Sequence, residues 1–206
     1  MRVTTSGDAA VSSLGADSAP FTVPNYPMFG PDGCLYVLDS GGWAAGNGRV
    51  MRVAPDAGQA EVWSDQACGF TSGMALSPDA RNLYVVESNL PAIARLPILP
   101  DGSAGGRELV AKLSGTVPDG LVFDSEGGLL TACYAPDRIL RLPPDGGPVA
   151  VLYDDWTRMA LNAPTNLTFV GQERDVLAVA SFGGQTVMGA RAGLRGRPLF
   201  WPEVRG

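Results

Sequence analysis

The chain has 206 residues, enough for one sizeable core, and its 45% hydrophobic and 17% charged content is that of a globular protein, not a disordered one. Its net charge of −6 offers no basic footprint for nucleic acid. Histidine is absent, which removes Ser-His-Asp and Cys-His catalysis and histidine-ligated zinc, so any chemistry rests on carboxylates, lysine, tyrosine or a metal held by oxygen.

The N-terminal residues Met1-Arg2-Val3-Thr4-Thr5-Ser6-Gly7 do not lead into a signal-peptide core, and no apolar run reaches membrane-spanning length. Cys34, Cys68 and Cys133 are odd in number and share no metal spacing, so the expectation is a reduced, cytoplasmic protein with Cys133 a small buried residue. Met1 to Val11 aligns without gaps with Met51 to Glu61, which places the start of the chain inside a repeat unit.

From residue 21 onward the sequence repeats. Pro24-Asn25-Tyr26-Pro27-Met28-Phe29, Thr71-Ser72-Gly73-Met74-Ala75-Leu76, Val117-Pro118-Asp119-Gly120-Leu121-Val122-Phe123 and Pro164-Thr165-Asn166-Leu167-Thr168-Phe169 are variants of one stretch. Their anchor residues Asn25, Ser72, Asp119 and Thr165 are spaced by 47, 47 and 46 residues, and each bears a small oxygen-containing side chain. After each anchor come a short apolar strand, a turn often of Pro-Asp-Gly type, and a strongly apolar second strand: Leu35–Asp39, Leu83–Glu87, Leu129–Tyr134 and Val176–Ala180. Third strands follow at Arg49–Val53, Ala92–Leu96 and Arg138–Leu142, with Arg52, Arg95 and Arg141 expected to serve inter-blade structure. Fourth strands follow at Ala60–Trp63, Glu108–Ala111 and Val149–Leu152. Four strands per unit at a constant period describe the blades of an all-β propeller. The expected organisation is a remnant of a preceding blade in residues 1–20 and four blades in 21–206.

With these residues in view, the chain resembles the senescence marker protein/gluconolactonase (regucalcin-like) family. The resemblance rests on Pro24–Ser40, Gly73–Ser88, Pro118–Tyr134 and Leu161–Phe169. It implies a six-bladed propeller, present here as about four and a half blades, with one divalent cation in the channel mouth: calcium, with zinc or manganese as alternatives. It also implies that a glutamate, an asparagine and an aspartate ligate that cation. Asp119 takes the aspartate's place as ligand and general base, and Ser72 stands in the place of the ligand asparagine. Asn25 falls at the substrate-side asparagine, with Thr165 and Asn166 as further substrate contacts. The glutamate's place falls upstream of Met1.

The activity so implied is metal-dependent opening of a sugar-type lactone or related ester, impaired by the missing glutamate, on a small-molecule substrate with no nucleic-acid or membrane partner. A hard cation prefers oxygen ligands and can polarise a lactone carbonyl, so a chain without histidine is compatible with it. Structural roles compete for each residue. Asp119 could be a plain turn residue of Pro-Asp-Gly, Asn25 a turn cap, and Thr165 and Asn166 backbone partners at a strand entrance. Trp43 and Tyr134 could line the mouth or pack between blades. The alternatives are a non-catalytic propeller that binds a small molecule or protein, and a strictosidine-synthase-like enzyme. Open blade edges would favour self-association.

Overall fold

Short β-branched and apolar runs closed by Gly, Pro and Asp turns form antiparallel hairpins, and the chain consists of these almost throughout. In the computed structural model the described residues are 19–55 and 59–200, together with the backbone of 2–3 and 9–10. A two-stranded pair, β1 (Arg2–Val3) with β2 (Ala9–Ala10), lies in the stretch expected to be a blade remnant. The other residues of 1–18, and 201–206 of the propeller region, lie outside the described residues.

Four antiparallel sheets follow, one per anchor, each in simple up-and-down order. The first is β3 (Pro24–Phe29), β4 (Leu35–Asp39), β5 (Arg49–Val53) and β6 (Ala60–Ser64). The second is β7 (Thr71–Leu76), β8 (Asn82–Glu87), β9 (Ala92–Pro97) and β10 (Glu108–Lys112). The third is β11 (Pro118–Phe123), β12 (Leu129–Tyr134), β13 (Asp137–Leu142) and β14 (Ala150–Asp154). The last has three strands, β15 (Pro164–Val170), β16 (Val176–Ser181) and β17 (Thr186–Ala190), the third of which the sequence pattern did not mark.

The first strands β3, β7, β11 and β15 contact one another in series, so the sheets radiate from a common axis as propeller blades. A cavity of about 360 Å³ on that axis is lined from all four, by Met28, Met74, Leu121 and Leu167 among others, with Pro198–Phe200 across it. Apolar packing sits between blades, which explains why the second strands are apolar on both faces. Leu38 and Val50 of blade one meet Met74, Leu83 and Val85 of blade two. Val86 and Ile93 meet Leu121 and Cys133 of blade three. Leu130 and Ala132 meet Leu167 and Val179 of blade four. Cys133 is fully buried, as its sequence context suggested.

The recurring arginines work mostly inside their own sheets. Arg52 pairs with Glu61 at 2.6 Å, Arg95 with Glu108, and Arg141 with the buried Asp124 at 2.7 Å. Arg52 also donates to the Gly102 carbonyl of the next blade at 3.0 Å, beside the Trp63 indole N–H at 2.9 Å. The inter-blade role expected of all three therefore holds for Arg52 alone among the described contacts.

Candidate functional site

Each first strand loses register with its neighbour at the anchor. In blade one the pairing jumps from Pro24↔Asp39 to Pro27↔Val37, in blade two from Thr71↔Glu87 to Met74↔Val85, and in blade three from Pro118↔Cys133 to Leu121↔Thr131. Two residues face one in each case, the signature of a β-bulge. Blade four shifts between Pro164 and Asn166, so Thr165 is the extra residue. Asn25, Ser72, Asp119 and Thr165 all sit on these bulges, which re-aim side chains and occur beside active sites. Pro118-Asp119-Gly120 is therefore strand and not turn, unlike Pro31-Asp32-Gly33 and Pro100-Asp101-Gly102, whose glycines have φ of +76° and +81°.

The glycines after the anchors bring neighbouring bulges together. A Cβ on Gly73 would lie 2.2 Å from the Asp119 carbonyl oxygen, and one on Gly120 would lie 2.6 Å from Asn166 Oδ1 and 2.9 Å from the Thr165 carbonyl. Blade one has Tyr26 at this position, and its hydroxyl hydrogen-bonds the Asn166 side chain. The backbones at 72–73, 119–120 and 165–166 thus lie side by side, and Tyr26 reaches to the last of them.

A serine relay links successive anchors. Asn25 Nδ2 donates to Ser40 Oγ at 3.1 Å, and Ser40 donates to the Thr71 carbonyl at 2.6 Å, just before the next anchor. One blade on, Ser88 Oγ donates to the Pro118 carbonyl at 2.6 Å, so Ser72 is the donor in its 2.5 Å contact with Ser88. The pattern stops at Asp119. Ser40, Ser88, Tyr134 and Phe182 are equivalent, since each backbone N–H bonds the carbonyl two residues before its own anchor, Val23, Phe70, Val117 and Ala163. An aromatic side chain replaces the serine hydroxyl in blades three and four.

No hydrogen bond or ion pair reaches the Asp119 carboxylate from the described residues, and burial pushes its carboxyl up to about 7. Tyr134 is held above its ordinary value by burial and then by the Asp119 charge, which places the two side chains together. Burial also raises the Cys133 thiol to about 11, leaving it a protonated neighbour. The other acids at this end are committed. Burial favours the neutral form of Asp39, but the Thr22 and Val23 amides and Arg49 outweigh it and hold the carboxyl low. Glu87, fully buried, accepts from Gly69 N–H at 3.0 Å and pairs with Arg107. The Thr157 hydroxyl and the Ala160 and Leu161 amides hold Asp155 at about 2. Asp119 alone among these is both shielded and unpartnered, the condition that marks functional acids.

A family profile described as SMP-30/Gluconolactonase/LRE-like region matches residues 3–183. The chain belongs to the SMP-30/gluconolactonase/LRE-like family. Among characterised relatives, the family member 6-deoxy-6-sulfogluconolactonase of Pseudomonas putida is 33% identical over 137 residues, covering 65% of this chain and 45% of that protein. A gluconolactonase from Xanthomonas campestris superposes with a TM-score of 0.70 at 21% identity, over 90% of this chain and 62% of that one. A calcium-binding regucalcin from Agrobacterium tumefaciens does so at 0.71 and 20%, over 88% and 65%. At those identities the two structures speak for the fold. The chain spans less than half the length of the curated relative named here.

Of the residues singled out in this SMP-30/gluconolactonase chain, Asp119 and Ser72 lie on adjacent bulges, with Thr165 and Asn166 beside them. Asn25 is exposed and turned toward Ser40. Asn166 Oδ1 accepts from the Leu167 N–H at 2.8 Å, which is part of the strand-entrance role weighed for it. Trp43 packs against Phe70 with the rings tilted by 51°, centroids 5.1 Å apart, and stays 48% exposed. Sequence reasoning missed Ser40, Ser88 and Tyr26. The recurring acid-serine pair at the end of the second strand, Asp39-Ser40 and Glu87-Ser88, was the available signal. The donor set fits a hard cation in kind: a half-buried carboxylate without a partner, the lone pairs of Ser72 Oγ, and the amide oxygen of Asn25. It carries one formal negative charge, and no group of three or more His, Cys, Asp or Glu placed to hold a metal ion occurs among the described residues.

Proposed function

We propose that this chain carries the catalytic carboxylate and part of the substrate face of a divalent-cation-dependent lactonase. The observation that supports the reading is Asp119, a shielded acid on a bulge whose relay serine is replaced and whose carboxyl sits at about 7. Without a cation a carboxyl so raised is about half ionised near neutral pH, and a bound cation would favour the ionised form that can ligate and accept a proton. The name of the relative 6-deoxy-6-sulfogluconolactonase points the same way. Asp119, with Ser72 and Asn25, would hold calcium, zinc or manganese, and the ion would polarise the acyl oxygen. Asp119 accepts a proton from water as the water oxygen bonds to the acyl carbon. The ring acyl–oxygen bond then breaks, and the proton passes to the leaving ring oxygen, giving the open hydroxy acid. Thr165 and Asn25 supply hydrogen bonds to the substrate, while Asn166 holds Tyr26 in place. Pre-organisation by the serine relay fixes the Pro118 carbonyl just before the reacting group.

The engaged, 3% exposed Ser72 and the single negative charge favour a second reading, a propeller that binds a small molecule without turning it over. Titrating simple lactones in a pH-stat with calcium, manganese or chelator separates the two. Cation-dependent acid release, lost in Asp119→Asn, supports the lactonase. Lactone binding that ignores chelator and yields no acid supports the binder and ends the hydrolase reading.

A further inference from the structure

We propose that the substrate of this site is an uncharged lactone bearing an apolar, aliphatic or aromatic, substituent; the inference rests on the lactonase reading above. The two ends of the propeller differ in kind. Turns at the far end carry exposed charge in all four blades, as at Asp32, Asp101, Asp145 and Glu173. Of the loops at the anchor end, 40–48, 88–91, 113–117 and 182–185 contain no charged residue, while 65–70 carries Asp65 and 155–163 carries Asp155 and Arg158.

The most exposed large apolar side chains among the described residues lie at this same end. They are Trp156 and Met159, each 86% exposed, and Phe182 at 78%. Trp156 and Met159 are on the 155–163 loop that feeds directly into β15 and its anchor. Phe182 occupies the register position at which Ser40 and Ser88 touch their anchors, and Tyr134 holds that position beside Asp119. The aromatic replacements therefore fall in the unpartnered acid's own blade and in the next one.

Apart from Asp119, and from Asp155, which accepts hydrogen bonds from Thr157, Ala160 and Leu161, charged groups near the axis at this end are ion-paired. Arg49 meets Asp39 at 2.9 Å, Arg107 meets Glu87, Arg138 meets Asp154 at 3.0 Å, and Arg158 approaches the buried Asp137 at 3.4 Å. Lys112 ends the outermost strand β10, and Asp65 follows the outermost strand β6, both remote from the axis. A sulfonate, phosphate or carboxylate substituent would need an unpaired cation near the axis, and a polyhydroxylated ring would need several donors and acceptors. Exposed aromatic and thioether side chains at this end fit neither, but they fit an alkyl or aryl group.

Rates on γ-valerolactone, γ-nonalactone, γ-phenyl-γ-butyrolactone and glucono-δ-lactone, with calcium supplied, test the inference. γ-Nonalactone, with its pentyl chain, and the phenyl compound should exceed γ-valerolactone in kcat/KM by about tenfold or more, the scale expected from burying several methylene groups. Trp156→Ala combined with Phe182→Ala should collapse that ratio, and Glu173→Gln at the far end should leave it unchanged. A flat series, or preference for glucono-δ-lactone, overturns the inference and leaves the lactonase reading standing. If no lactone is opened, the lactonase reading fails. Isothermal titration calorimetry with the corresponding alkyl and unsubstituted lactams then decides the inference alone: tighter alkyl-lactam binding that the double variant abolishes sustains it, and equal binding overturns it.

Discussion

Replacing Asp119 with asparagine should stabilise the chain, increasingly so as the pH rises from 4.5 to 7.5. The Asp119 carboxyl is pushed up to about 7 by burial, against an ordinary carboxylate near 4. Three units correspond to about 4 kcal/mol at most. The side chain keeps partial solvent contact, so about half of that, roughly 2 kcal/mol, is the expected size. The sign follows from proton counting. Between pH 4 and pH 7 the folded state keeps the proton that the unfolded state has lost, so stability falls as pH rises through that window. Asparagine removes the dependence. Urea unfolding in chelator at pH 4.5, 6.0 and 7.5 should show a small gain at the lowest pH that grows and levels off above about 7. A gain of about 2 kcal/mol corresponds to a melting shift of about 4–8 °C for a chain of this length. An advantage that is equal at all three pH values, or a loss at pH 7.5, would refute the burial argument.

Ser88→Ala removes the donor to the Pro118 carbonyl and the acceptor for Ser72, and should cost about 1–3 kcal/mol in unfolding free energy. In a double-mutant cycle with Ser72→Ala the two losses should fall short of additive, since both break one relay. Gly120→Ala places a Cβ 2.6 Å from Asn166 Oδ1 and 2.8 Å from Asn166 Cα, so β11 and β15 have to separate. Chemical denaturation should register a loss of about 1–3 kcal/mol or more. Asp155→Asn should lower stability near neutral pH, with the deficit fading as the pH falls through about 2, because the native carboxyl sits below its ordinary value. Hydrogen exchange at the Ala160 and Leu161 amides reads that loss locally.

The blade strands were legible because turn chemistry and apolar runs recur at a fixed period. All four second strands end at or within a residue of their sequence-expected bounds on both sides, for instance Leu35–Asp39 and Leu129–Tyr134. The anchors were legible as positions, but not the reason for their geometry. Pro-Asp-Gly reads as a turn at residues 31–33 and 118–120 alike, and only the pairing of Pro118 with Cys133 and Leu121 with Thr131 turns the second into a bulge. Such pairing depends on partners far along the chain, which local propensity does not encode. The relay was likewise hidden, because the donors and acceptors belong to different blades, as with Ser88 and Pro118. Thr186–Ala190 escaped notice because two of its five residues, Gly189 and Ala190, carry little strand signal and it has little burial to impose an alternating pattern.

Titrating the side-chain Cγ of Asp119 by ¹³C NMR, in metal-free protein and again with calcium, tests most directly whether this acid is donor-starved and available to a cation. The expected midpoint is about 7 without metal, moving to lower pH when calcium is added. A midpoint near 4 in the metal-free chain, indifferent to calcium, would contradict the account.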